Sequence, residues 1–238
     1  MTMMASTTAA TPASQLRRWL RGKRVDTTST LTRMRPHVAS DVAGWWDAVV
    51  ALVRELPDDR SAEPRLHDVA AGPLRVLIDV DDGVRFKLLG LARDDDRFAS
   101  LAAGALSSRM NAREMVRALG YAHTIDGYLR HCSFDAGDAS RPASFWAWQV
   151  MDQLANEKGA APTAWQLFKE ALRRADAHQS TAIGTGLLED FLRAADEDAI
   201  EMVLPDLRAN RRLAAAVCIY HLPEEHAERI WRAVGRRP

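Results

Sequence analysis

Two cysteines in 238 residues, Cys132 and Cys218, are too few for a disulfide framework. The chain is therefore expected to work reduced, in a cytoplasmic setting. No apolar run approaches the roughly 18 residues a membrane span needs. No apolar stretch follows the arginines of "QLRRWLRGKR" either, so a secretory signal is not expected. Tyrosine is scarce, with three copies, and period-two alternation is nearly absent; "RVLIDV" is the one strand candidate. There is no G-x-S-x-G elbow and no phosphate-binding glycine loop, and the "GTG" at Gly184–Gly186 follows no strand. These gaps remove the common nucleophilic and nucleotide-binding folds, and no cofactor is expected.

The formal net charge is zero but unevenly placed. Residues 1–37 carry Arg17, Arg18, Arg21, Lys23, Arg24, Arg33 and Arg35 against Asp26, a net of +6, which leaves the remainder at −6. The small, polar start and this basic cluster predict a disordered tail over 1–37 holding one short helix near Pro12–Leu20. Such an arm also offers Arg17, Arg18, Arg21, Lys23 and Arg24 to nucleic acid.

From residue 38 onward the chain is patterned as helices. Ser40 caps a helix with Trp46, Val49, Val53 and Leu56 on one stripe, ended by Pro57. Thr163 introduces a second helix with Trp165, Phe168, Leu172 and Ala175 in the same places. The match continues at an offset of 114: Gly72-Pro73-Leu74 over Gly186-Leu187-Leu188, Leu77-Ile78 over Phe191-Leu192, and Phe86 over Ile200. It closes with "RFASLAAGAL" over "RLAAAVCIYHL". Two related units, about 40–106 and 144–220, thus flank a connecting region, 107–143, and a final helix follows at Glu224–Val234. The expected fold is all-α: a tandem helical repeat, solenoid-like or an orthogonal array of stacked antiparallel helices. Gly72 is expected at a tight corner between helices, with Pro73 opening the next one.

The stretch "TGLLEDFLRAADEDAIEMVLPDLRANRRLAAAV" resembles an uncharacterised bacterial helical domain family with an A-x-G-P-L-E-D-L-L hallmark. The resemblance covers residues 145–220, and more weakly 45–106, where Arg75-Val76 replace the hallmark Glu-Asp. It implies a helical domain and no known chemistry. Because some relatives look like neighbours of toxin genes, it also implies an immunity-type role.

Three constellations bear on function. Adjacent Glu189 and Asp190 point about 100° apart on a helix, so they suit dipole compensation in a first turn better than paired catalysis. A hydrolytic site using Glu189 as general base is the third reading of the chain. The clusters Asp79/Asp81/Asp82, Asp94-Asp95-Asp96 and Asp196-Glu197-Asp198 sit at helix starts. Three acids exceed what a cap needs, so an acidic edge that meets a basic protein partner is expected, with Glu189 beside it. His131-Cys132 and Cys218-x-x-His221 are poor zinc sets, and no metal is expected. Trp45 or Trp146, if exposed beside its buried neighbour, is an interface candidate. The leading expectation is an intracellular protein-binding module, immunity- or antitoxin-like, that neutralises a basic toxin through Asp79, Asp81, Asp82, Asp94, Asp95 and Asp96.

Overall fold

A computed structural model describes residues 11–21, 27–57, 59–107, 109–134, 144–157, 159–217 and 221–235. Among these residues the structure is helical throughout, with no strand beyond a single Ser107–Met110 bridge. No helix among them is long and apolar enough to cross a membrane.

The first unit holds α3 (Val42–Glu55), α4 (Glu63–Val69), α5 (Arg75–Val80), α6 (Asp82–Ala92) and α7 (Asp96–Gly104). The second holds α11 (Ala161–Arg174), α12 (Ala177–Gly184), α13 (Leu187–Ala194), α14 (Glu197–Ala209) and α15 (Arg211–Ala216). Between them run α8 (Ala112–Leu119), α9 (Tyr121–Cys132) and α10 (Phe145–Asn156), and α16 (Glu224–Val234) ends the chain. α10 is the hub: it packs on α7, α8 and α9 on one side and on α11 and α13 on the other. It does so because Trp146, Ala147, Val150, Met151 and Leu154 leave it almost no polar face toward the core. The buried residues of both units and of the connecting region belong to one core cluster.

The caps explain where helices begin. Asp41, Asp81, Asp95, Asp176 and Asp196 each accept a backbone N–H of the following first turn. Asp41, not Ser40, is thus the cap of α3. α11 starts two residues before Thr163, with Pro162 in its first turn, where a missing N–H costs nothing.

The caps also correct the register between the units. Asp81 and Asp196, 115 apart, open α6 and α14, and Asp95 and Asn210, again 115 apart, open α7 and α15. In this register Val84, Leu88, Leu89 and Ala92 lie over Ala199, Val203, Leu204 and Leu207, all buried. Phe86 then falls on Glu201, and both are exposed, whereas the offset of 114 matched exposed Phe86 with buried Ile200. The extra residue sits before the cap, in "RAAD" against "DVD".

One arginine closes each unit. Two positions past the Asp95 cap, Arg97 donates to the carbonyls of Arg54 at 3.4 Å and Leu56 at 2.9 Å, at the end of α3. Two positions past the Asn210 cap, Arg212 donates to the carbonyls of Arg173 at 3.3 Å and of Ala175, at the end of α11. In each case a guanidinium at one helix start satisfies the orphan carbonyls at another helix end.

The Gly72 segment departs from expectation. Ala70–Leu74 is a π-type turn, and the backbone stays helical from Glu63 to Val80 with no corner. Pro73 sits inside this wide turn. In an α-turn its ring meets the carbonyl four residues back, and the wider loop relieves that clash. The second unit, lacking the proline, breaks instead at Thr185-Gly186.

Candidate functional site

The described part of the basic tail, residues 11–21 and 27–37, is not a free arm. α1 (Pro12–Arg21) and α2 (Thr27–Ser40) are helices laid on the body: α1 against α3 and α4, α2 against α5 and the π turn. Leu16 and Val38 are completely buried there. The signal was present in "QLRRWLR", whose Leu16, Trp19 and Leu20 make one apolar stripe. Of the five residues expected to meet nucleic acid, Arg17 pairs with Glu55 at 3.3 Å, Arg21 donates to the Arg17 carbonyl, and Arg18 faces a cavity. Lys23 and Arg24 lie outside the described residues.

Between α1, α2 and the body lies an open cavity of about 1260 Å³. Gln15, Arg18 and Trp19 of α1 line it at helical spacing, as do Arg33, Met34 and His37 of α2. α4 contributes Glu63, Pro64, His67 and Asp68, and the π turn contributes Ala71 and Gly72. Its far wall is Trp45, Ser100, Phe145 and Trp146. Gly72 is required by this construction, because a Cβ there would overlap the indole of Trp19. Ser100 Oγ is shut off from solvent and has no hydrogen-bond partner among the described residues. Trp45 and Trp146, expected as possible exposed contacts, are both buried. The indole N–H of Trp146 donates to Asp96 at 3.1 Å, and its ring stacks on His123.

The expected acidic edge is divided: Asp79 lies in α5 with Asp81 and Asp82 at the start of α6, and Asp94-Asp95-Asp96 lie past its other end, with the eleven-residue helix, about 16 Å long, between them. Most of these carboxylates already have partners. Asp81 caps α6; Asp95 caps α7 and holds Arg97, whose guanidinium keeps the Asp95 carboxyl below the usual carboxylate range. Asp96 takes both Trp146 and Arg130, the latter at 2.9 Å. Asp79 and Asp82 flank Arg109 at 3.8 and 4.0 Å. Asp94 is exposed. A line of exposed residues runs along α6 and just past its end: Asp82, Phe86, Gly90 and Asp94, spaced by four. Phe86 is 62% exposed, and the Arg85 guanidinium lies 4.7 Å from its ring centre.

Glu189 is also not a surface contact. It is 6% exposed, and its carboxylate accepts the backbone N–H of His221 at 3.1 Å and meets that imidazole at 3.0 Å, so it ties α13 to the chain after α15. Burial with its oxygen committed removes it both as a docking residue and as a general base with access to substrate. Its neighbour Asp190 pairs instead with Arg193 at 2.5 Å. The carboxyl of Asp152 on α10 is pushed up by burial and then by the charge of Asp190. Cys132 is buried in the core, His131 packs toward Phe145 and Trp148, and Cys218 lies outside the described residues.

Compared with models of protein families, with curated proteins and with solved structures, the chain gives no match.

Proposed function

We propose that this chain is a binding protein whose recognition site is the cavity under α1 and α2. The observation that carries the reading is the cavity itself: about 1260 Å³, bordered by three tryptophans and a phenylalanine, with nine polar or charged side chains from five helices. Concave, mostly apolar sites with sparse polar groups are where small molecules bind, typically in volumes of roughly 300–1,000 Å³. The test is a titration with the neutral apolar dye N-phenyl-1-naphthylamine. Its fluorescence is expected to rise saturably with the wild-type chain and not with Ala71→Phe, which fills the cavity, at unchanged helical circular dichroism. A wild-type chain that gives no saturable rise refutes the reading.

A second reading, the immunity- or antitoxin-like module that neutralises a basic effector, is favoured by the α6 stripe. An exposed aromatic between two acids suits a partner that presents an apolar residue between two basic ones. In this form the contacts are Phe86 with Asp82 and Asp94, two of the six aspartates expected at the helix starts. Co-expression with the product of the adjacent gene tests it: Phe86→Ala is expected to weaken a complex about tenfold or more. Failure of the two proteins to co-purify at low salt removes it. The nucleic-acid reading retains Arg17 and Arg21 among the described residues, and the likeness to the hallmark family rests on the motif alone.

A further inference from the structure

Charge is divided across the cavity. α1 and α2 supply Arg18, Arg33 and His37; α4, facing them, supplies Glu63, Asp68 and His67. Arg33 and Glu63 each hold an interaction of their own. Among the described residues Arg18 has no acidic partner and Asp68 has no basic one, although α1 and α4 are in contact and both side chains line the same space. A cation and an anion that border one cavity without pairing are complementary to a molecule that carries both signs. Trp19 and Phe145, the accessible aromatic rings among the residues lining that space, are complementary to that molecule's apolar body. Guanidinium suits phosphate or carboxylate.

Resting on the binding reading above, we infer that the cavity takes a zwitterionic amphiphile, its anionic group toward Arg18, its cationic group toward Asp68, and its apolar body against Trp19 and Phe145. The volume accommodates a chain of lipid or detergent length, whether from a membrane lipid or from a free zwitterion, and the shared chemistry is the paired charge on an apolar body.

Quenching of intrinsic tryptophan fluorescence reports on occupancy because Trp19, Trp45 and Trp146 border the cavity. Two probes are titrated below their micelle concentrations: dodecylphosphocholine, a zwitterion, and dodecyl maltoside, which is uncharged. Arg18→Gln and Asp68→Asn are each expected to weaken dodecylphosphocholine by about tenfold, the scale of one charge-assisted contact. Both are expected to leave dodecyl maltoside within about twofold. Both substituted side chains reach solvent, so the fold is expected to hold, and unchanged melting temperatures check this. If the wild type binds both probes equally and neither substitution discriminates, the inference fails while the cavity stands as a binding site. If neither probe binds, both fail. Binding to phosphocholine vesicles with no binding of the free zwitterion assigns the ligand to the membrane; the reverse assigns it to solution.

Discussion

Arg97 and Arg212 do at two places what no local motif requires: each reaches back some forty residues to the end of an earlier helix. Replacing either with glutamine is expected to lower unfolding free energy by about 1–3 kcal/mol, the cost of charged hydrogen bonds to otherwise orphaned carbonyls, read in urea melts. Gly184 is a harder constraint. A Cβ there would overlap the carbonyl of Ala216, which is backbone and cannot rotate away, so Gly184→Ala is expected to cost about 1–3 kcal/mol or more. Gly72→Ala meets only the Trp19 ring, and is expected to loosen α1 more than the body. Two aspartates set opposite pH trends. Asp152 is raised by burial and by Asp190, so the folded state favours its protonated form, and stability falls as pH rises through its folded value. Asp152→Asn is therefore expected to raise the melting temperature at pH 7, with the gain vanishing below about pH 4. Asp206, held down by Lys169 and by the Trp165 indole, stabilises above its ordinary value and loses that contribution as pH falls through the lowered one. Asp206→Asn is expected to lower the melting temperature at pH 7 and to converge on wild type in strong acid. Part of this scale was legible in advance, above all the acids at helix starts. The arginine pair was visible as aligned letters, yet its role was not, because its acceptors are carbonyls that any sequence carries.

Elements were legible where a face repeats and illegible where a segment docks. The stripes of α3 and α11, and the helices at Glu224–Val234 and Ala112–Leu119, follow directly from apolar spacing. The π turn did not, since Gly-Pro reads equally as a corner, and only packing against α2 and α7 decides for a continuous helix. α2 likewise contains Pro36 and lies among basic residues, composition that reads as disorder until Val38 finds the body. The cavity inherits this difficulty, because its residues come from seven separate stretches and share no spacing. Deleting residues 1–40 is expected to expose Trp45, raising the quenching of its fluorescence by acrylamide and abolishing dye binding while most helical signal persists.

At the scale of the whole molecule, α10 joins two similar arrangements that differ in their coverings: α1 and α2 over the first unit, α16 over the second, with Arg229 spanning Glu197 and Glu201. The covering by α1 and α2 is the one that borders the cavity of about 1260 Å³. The arginine closures have a topological effect as well. Each holds the last helix of a unit to the end of its first, so the chain from Val42 to Gly104, and again from Ala161 to Ala216, forms a ring closed without a covalent bond. A ring tolerates one cut. Nicked at the exposed turn near Ser61, the first ring keeps its two pieces joined through Arg97, and the same nick in Arg97→Gln removes that link. Split there and expressed as two fragments, the protein is expected to reassemble, and the arginine decides how readily.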